Sequence, residues 1–535
     1  MDRKQTKRKR KSVSKKKISR PQFRPFGKFA DPLSSETSDS DYIPDGSDCE
    51  AEEKKIKLAK KIDNFDKTVA GTGKDARYDS FVENKVFEKG NKPDGDFVAR
   101  RCQYDDTHSV QQLSQAKKLF WNRAPTEILV KVFKYFVAEE AGISTIIRCG
   151  RVCSQWNYCS KHPSLWTKVD LSFMSNTSKA NDSCIRKLVK LHGDNISHLF
   201  LNNWKKITSK GLLAISSECP NLETLSLSGC SENTRKDKGI SAESVMAIID
   251  KCNLQVVDLS WLKLSNFSKV ILALTDKCGC NLLSLNLCGC PVRAAMLNSI
   301  MDGCPNLQIL DISNTLIFDI NMIKLQSSFP NLVELYIAKS NVFMKSHGTK
   351  KATDEPSFKN MKALSIQSEL LTDKLLACTT RGAKNLKLLD LRSCRLLTSK
   401  ALMEIEAHSI ERLFLSHSCA SFSLRDILEK WGDSLEELDL SWISAGSKFD
   451  GLDDNMLGSI AKTGMKYCKM VKMDLSGTTV NDLGVWYILA IFPGLQSLNL
   501  TSCKGLSRGI KHLHERKSIE QLCKMDLAAR KVCIN

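Results

Sequence analysis

Twenty-one cysteines in 535 residues are the first side chains to weigh for chemistry, and the tightest group is Cys278-Gly-Cys280 with Cys288-Gly-Cys290, four thiols within thirteen residues. Zinc is held best by thiols separated by two to four residues, here the separation is one, and no His joins the group. Reduced thiols packed as small apolar residues account for them without a metal, which fits a cytosolic or nuclear compartment. The nine His are scattered. No Gly-rich phosphate loop, nucleophile elbow or His/carboxylate cluster stands out, so the expectation is a protein with no catalytic residues, no cofactor and no metal. What remains is recognition, and the elements that would position recognising side chains must be read next.

Those elements repeat. In Cys219-Pro-Asn-Leu-Glu-Thr-Leu-Ser-Leu-Ser-Gly-Cys230, Leu225 and Leu227 point to one side of a strand and Cys230 closes a turn. Val245, Ile248, Ile249 and Cys252 then fall at helical spacing, one apolar stripe of an amphipathic helix. Degenerate copies begin at Ile196, Leu222, Leu254, Leu282, Leu307, Leu332, Met361, Leu386, Ile410, Leu435, Met470 and Leu495, a mean step of about 27 residues, which is the leucine-rich-repeat period. One unit cannot bury its own apolar strand face, so the units are expected to stack into an α/β solenoid, parallel strands inside and helices outside. Cys290, Cys394 and Cys503 share the turn position of Cys230, which explains much of the cysteine count.

Between the two strand leucines of each copy sits a residue that alternation turns away from the core, onto the concave sheet. It reads Ser226, Asp258, Asn286, Asp311, Tyr336, Ser365, Asp390, Phe414, Asp439, Asp474 and Asn499, five aspartates in eleven. Such an acidic stripe, with Tyr336 and Phe414 in its middle, is a candidate site for a basic partner, and Trp261 and Trp442, each just past a strand, are candidate rim anchors. The alternative is that Asp and Ser recur because they tie down neighbouring strand ends. Three interruptions, at 231–239, 339–359 and 442–455, are expected to be loops, with Lys345, His347, Lys350 and Lys351 in the second.

Charge divides the remainder. The chain carries a net +20, and residues 1–30 hold thirteen Lys/Arg against Asp2 alone, while residues 30–53 hold nine acids and no base. Such runs cannot fold against themselves, so residues 1–112 are expected to be a disordered tail and linker. Lys7, Arg8, Lys9, Arg10 and Lys11, followed by Lys15, Lys16 and Lys17, fit a bipartite nuclear-localisation signal. A solvated or weakly nucleic-acid-attracting arm is the other reading, set apart by steep salt dependence. No signal-peptide pattern, lipidation motif or membrane-length apolar run is seen. A soluble protein of nucleus or cytoplasm, with no membrane partner, is expected.

Residues 113–170 differ from both neighbours. In Ala124-Pro-Thr-Glu-Ile-Leu-Val-Lys-Val-Phe-Lys-Tyr-Phe136, Pro125 and Glu127 suit a helix start, and Leu129, Val132, Phe133 and Phe136 form an apolar stripe. A second short helix at Ile143, Ile146 and Ile147 leads to Arg151-Val-Cys-Ser-Gln-Trp156 and Pro163-Ser-Leu-Trp166. This could be a small helical domain, or only a cap over the first repeat. The pattern resembles an F-box, and its union with Cys-Pro-Asn-Leu repeats is similar to the F-box and leucine-rich-repeat family. One departure is Ala124, where the family usually has Leu.

The resemblance implies a substrate-recognition subunit of a Skp1-cullin-F-box ubiquitin ligase, itself without catalysis. The F-box would bind the adaptor Skp1, and through it a cullin-RING ligase, while the repeats hold a protein substrate. Carried over by position, Pro125, Glu127, Ile128, Leu129, Val132 and Phe133 would face the adaptor, and Trp156 and Trp166 would sit in or beside that interface. A nuclear scaffold whose helices merely cap the repeats is the competing reading. The expected architecture is thus an α/β leucine-rich-repeat solenoid at 171–512, preceded by a small all-α F-box and a disordered tail, with a cap or tail at 513–535.

Overall fold

The twelve register positions from Ile196 to Leu495 are all buried, and each stands just ahead of a strand of one sheet. The computed structural model describes residues 124–137, 142–230, 239–343, 357–418, 423–443 and 454–525. The basic and acidic runs, including Lys7 to Lys11 and Lys15 to Lys17, lie outside these residues, as does most of the three expected loops. Within the described residues one fourteen-stranded sheet carries the chain from β1 (Lys168–Asp170) to β16 (Leu513–Glu515).

Between them run β2 (His198–Phe200), β3 (Thr224–Ser226), β4 (Val256–Asp258), β5 (Ser284–Asn286), β6 (Ile309–Asp311), β8 (Glu334–Ala338), β10 (Ala363–Gln367), β11 (Leu388–Asp390), β12 (Arg412–Phe414), β13 (Glu437–Asp439), β14 (Lys472–Asp474) and β15 (Ser497–Asn499). All pair in parallel except β15 with β16. Register is uniform: Leu199, Leu225, Val257, Leu285 and Leu310 stand opposite one another on successive strands, each buried. A one-residue slip would send this whole row to the other face, so the row pins the register. Each such side chain contributes roughly 1.5–3 kcal/mol by burial.

Sequence patterning placed the sheet's first strand at Ile196, but it begins one strand earlier. β1, inside the stretch read as all-helical, is parallel to β2. At the other end β16 turns back antiparallel, so the stretch read as cap or tail contributes a strand. A second, two-stranded ladder joins β7 (Asp319–Asn321) to β9 (Asn341–Phe343), so part of the loop expected at 339–359 is strand.

Strands lie about 4.8 Å apart whereas packed helices need about 8–10 Å, so the array must bend with its strands inside. The outer layer includes α4 (Asp182–His192), α5 (Ser209–Glu218), α6 (Ala242–Lys251), α7 (Phe267–Cys278) and α8 (Ala294–Gly303). Their starts are held by side chains that accept backbone N–H groups, Asn181 for α4, Thr208 for α5 and Ser241 for α6. Neighbouring units are laced at these points: Asp182 accepts the Thr208 N–H at 2.8 Å, and the Asn of Pro-Asn-Leu reaches back, Asn221 to the Asp194 carbonyl and Asn306 to the Cys280 carbonyl, each at 2.8 Å.

The turn cysteines do more than fill space. Sγ of Cys230, Cys290, Cys394 and Cys503 donates to the carbonyl of Leu201, Leu259, Ile366 and Leu475 in the unit before, at 2.9, 2.9, 3.0 and 3.1 Å. Burial pushes the Cys230 and Cys394 thiols up to about 12, so they stay protonated and able to donate. Among the described residues no helix is long and apolar enough to cross a membrane.

Candidate functional site

Two surfaces bear on function, the helical unit before β1 and the concave side of the sheet. The unit consists of α1 (Thr126–Val137), α2 (Gly142–Cys149) and α3 (Ser154–Ser160), followed by a short turn at Pro163–Leu165. Leu129, Val130 and Phe133 of α1 are buried with Ile143, Ile146, Cys159 and Leu165. Trp156 meets the Phe133 ring edge-on at 5.3 Å. Gln155 donates from Nε2 to the Ala124 carbonyl at 2.5 Å, tying the start of α1 to α3, and Ala124 is itself buried. The small side chain at 124 is thus accommodated inside the unit.

This burial corrects the carried-over assignment in part. The resemblance places Leu129, Phe133 and Trp166 at the adaptor, but all three are core residues, Leu129 and Phe133 because the α1 stripe closes on α2 and α3, and Trp166 because it packs at the joint with the first repeat. Pro125, Glu127 and Ile128 are exposed, and Val132 and Trp156 are half-buried. Ile128, 45% exposed, was named from the sequence, but the rest of the outward apolar set was missed: Tyr135 is 78% exposed, Tyr158 70% and Val152 63%. Ile128, Val132 and Tyr135 fall at i, i+4 and i+7, a second stripe on the opposite side of α1. That spacing was the signal, hidden because the helix is apolar on two sides.

Trp166 belongs to the joint with the repeats. Its Nε1 donates to the Ser160 carbonyl at 2.8 Å, and its indole stacks on His192, the last residue of α4. Beside it Trp204 Nε1 donates to the Leu171 carbonyl at 2.8 Å, so indoles from both sides pin the chain around β1.

On the concave side each aspartate serves the turn after its own strand. Oδ1 of Asp258, Asp311, Asp439 and Asp474 accepts the backbone N–H two residues on, from Ser260, Ser313, Ser441 and Ser476, at 3.0, 2.9, 2.9 and 2.8 Å. Asp258 also accepts from Ser226 Oγ at 2.9 Å and is buried. Asp390 accepts two bonds from the Arg392 guanidinium, at 2.9 and 2.7 Å, with Ser365 Oγ at 2.9 Å and Gln367 Nε2 at 3.0 Å. Asp258 and Asp390 are therefore spent inside the fold and are withdrawn as partner-binding groups. Asp311, Asp439 and Asp474 are half-buried. Burial pushes the carboxyls of Asp311 and Asp439 up to about 6.

The middle of this face is apolar. Ala363, Leu388 and Phe414 cluster apart from the solenoid core, with Tyr336 packed on them. The Tyr336 hydroxyl donates to Glu334 at 2.9 Å, and the Arg392 guanidinium lies 5.6 Å from the Phe414 ring centroid.

Trp261 and Trp442 sit at the rim, half-buried, with φ of 58° and 53°. Asn203, Gly229, Gly289, Asn314, Gly477 and Ser502 hold the same left-handed turn position in other units, and N–H groups from this row donate to the carbonyl of the next unit, Trp261 to Cys288 at 2.7 Å and Trp442 to Ser476 at 2.8 Å. A bulky residue with positive φ is uncommon and costs about 1–2 kcal/mol. The rings find room because the next unit has glycine there. A Cβ on Gly289 would lie 2.5 Å from the Trp261 ring, and one on Gly477 2.5 Å from the Trp442 ring. His417, also left-handed, lies parallel to Trp442 with centroids 6.0 Å apart.

An F-box-like family model matches residues 121–172, the helical unit together with β1. DNA repair protein rhp7 of Schizosaccharomyces pombe is 26% identical over 306 residues, 50% of this chain and 53% of that protein. The putative F-box/LRR-repeat protein 22 of Arabidopsis thaliana is 25% identical over 232 residues, 38% of this chain and 71% of its own. The chain thus spans about half the length of the first of these relatives. Among solved structures, the Rad7 and Elc1 complex of yeast aligns with a TM-score of 0.43 and 14% identity over 76% of this chain and 96% of that one. An F-box-like domain running straight into a leucine-rich-repeat solenoid is the pairing for which the Arabidopsis relative is named, and it is what this chain is similar to.

Proposed function

We propose that this chain is the substrate-recognition subunit of a Skp1-cullin-F-box ubiquitin ligase, with the helical unit docking on Skp1 and the solenoid holding a protein substrate. The observation that carries the reading is the outward apolar set on α1 and around α3, Ile128, Tyr135, Val152 and Tyr158, on a unit whose own core is already complete. Large exposed apolar side chains gathered on one small domain favour a protein partner. Pro125, Glu127, Val132 and Trp156 would border that contact. The chain would make and break no bonds. It would raise the concentration of a substrate lysine beside a ubiquitin-charged enzyme held elsewhere in the assembly, catalysis by proximity.

The substrate is assigned to the concave face, where half-buried Asp311, Asp439 and Asp474 favour a basic partner, with Trp261 and Trp442 at the rim. Two basic clusters near the N-terminus, and similarity to a protein named for DNA repair, favour the nucleus. The test is recovery of Skp1 and a cullin with the chain purified from cells. Native chain is expected to bring down both, and Ile128→Lys with Tyr135→Ser neither. Skp1 and cullin recovered equally by both would sink the reading, and recovery of neither by the native chain would favour the scaffold.

A further inference from the structure

Every strand of the large sheet from β1 to β15 runs the same way, so each strand-to-helix turn opens on one edge of the sheet, the rim that carries Trp261. Along that rim the residues at the helix starts change character. In the β1, β2 and β4 units exposed Lys179, Lys205, Lys206 and Lys263 stand two or three residues ahead of the caps Asn181, Thr208 and Asn266, and in the β5 unit exposed Arg293 is itself the cap of α8. From the next unit on, the same place is apolar. Leu316 and Phe318 precede the cap Asn321, Leu370 precedes Thr372, and Leu396 precedes Thr398. Phe318 is 75% exposed, Leu370 56% and Leu396 52%. The β8 unit supplies Phe343, also exposed, because the pairing of β9 with β7 sets it opposite Asn321.

Backbone bonds join these rungs. Lys206 bridges in parallel to Asn181, and the Leu316 N–H donates to the Val292 carbonyl at 2.9 Å, which sets the first apolar rung against Arg293. The charges of opposite sense are few. In the cationic stretch Asp182 is taken up by the Thr208 N–H and hydroxyl, and Glu243 is exposed. In the apolar stretch Glu369 and Arg395, on adjacent units, lie 3.9 Å apart and offset each other, and Asp319 beside Phe318 is exposed.

Neither run packs the solenoid core. Large apolar side chains exposed on neighbouring units favour a protein partner, and a row of like charges attracts a partner of the opposite sign. We propose that this rim docks a protein segment of matching two-part chemistry, acidic side chains along the units of β1 to β5 and large apolar side chains along those of β6 to β11. A polynucleotide would satisfy the cations and leave the leucines and phenylalanines in water, so the partner is a protein. The site goes beyond the concave face given to substrate above and does not depend on the adaptor. Eight strand steps separate β1 from β11, about 38 Å at the usual spacing, which about twelve residues of extended chain would cover.

The test is fluorescence anisotropy of full-length chain with two labelled synthetic peptides, each of about fourteen residues and identical in composition. One carries a run of Glu and Asp followed by a run of Leu and Phe, and the other interleaves the same residues. The block peptide should bind at least about tenfold more tightly than the interleaved one, because only it can lay both runs on their own halves of the rim. Lys205→Glu with Lys206→Glu should weaken its binding at least about tenfold and flatten the salt dependence, and Leu370→Ser with Leu396→Ser should weaken it as much with the salt dependence unchanged. All four side chains are exposed, so the melting temperature of both variants should stay native. Equal affinity for the two peptides, no binding of the block peptide to native chain, or undiminished binding to either variant overturns the proposal. A mixed-sequence single-stranded oligonucleotide that binds native chain more tightly than the block peptide does would assign the rim to nucleic acid and overturn it too.

Discussion

The indole of Trp166 lies flat on the imidazole of His192, ring centroids 3.6 Å apart and planes within 5°. One ring ends the helical unit and the other ends the first solenoid helix, so this stack is the joint between the two halves. If one half docks on a ligase and the other on a substrate, the joint sets how the substrate is presented.

That joint should make the fold acid-sensitive. Burial, with Lys161 nearby, pulls the His192 imidazole down to about 4 from its ordinary 6.5. Its stabilising contribution is therefore full above about 6.5 and is lost as pH falls toward about 4, because the unfolded chain takes up the proton first. Asp311 and Asp439, pushed up to about 6, act in the opposite sense between about 6 and the ordinary carboxylate range, so the informative quantity is a difference between variants. His192→Phe, which keeps a ring but cannot titrate, should lose less melting temperature between pH 7 and pH 5 than the native chain. Identical losses would remove His192 from the account.

At the rim, Gly289→Ala should destabilise the chain by about 1–2 kcal/mol from left-handed backbone strain alone, and by more because its Cβ must displace the Trp261 ring. In a Trp261→Ala background only the strain term should remain. Chemical denaturation of the two single variants and the double variant measures the coupling. Strict additivity would mean that the indole does not rest on Gly289.

The two buried aspartates should differ. Asp258→Ala leaves the Ser260 N–H without its acceptor, while the Ser226 hydroxyl keeps Asn202 Oδ1, and should cost about 1–3 kcal/mol. Asp390→Ala strands the Arg392 guanidinium in a mostly buried site and should cost about 3–5 kcal/mol, with much of the loss recovered by adding Arg392→Met. Equal costs, read from denaturant midpoints at constant slope, would place Arg392 in solvent.

Within α1 the roles of adjacent residues separate. Leu129→Ala and Phe133→Ala should each cost about 2–5 kcal/mol of folding stability, since both side chains are core. Ile128→Lys and Tyr135→Ser should leave the melting temperature close to native. Melting curves of all four decide whether the outward and inward stripes are assigned to the correct sides.

Much of this was legible in the chain itself. The repeat register could be read because one apolar period recurs twelve times, so errors at single copies cancel. β1 escaped notice because three residues are too few to show alternation, and its strand character comes from pairing with β2. The outward stripe on α1 escaped because a helix apolar on two sides does not declare which side has company. Asp-Leu-Ser is compatible both with a turn device and with a binding surface. The bond from the residue two on is common to the row, and burial is what separates Asp258 and Asp390 from the half-buried members. The left-handed tryptophans were invisible because nothing local favours that backbone. It is imposed by a hydrogen bond to the next unit and permitted by the glycine there.

The central claim is that the helical unit docks on an Skp1 adaptor through Ile128, Tyr135 and their neighbours. Titration calorimetry of purified full-length chain with purified Skp1 tests it most directly. A one-to-one complex at micromolar concentrations or below, abolished by Ile128→Lys with Tyr135→Ser at unchanged melting temperature, is the predicted result. No complex with the native chain, or equal affinity for native chain and double variant, would contradict it.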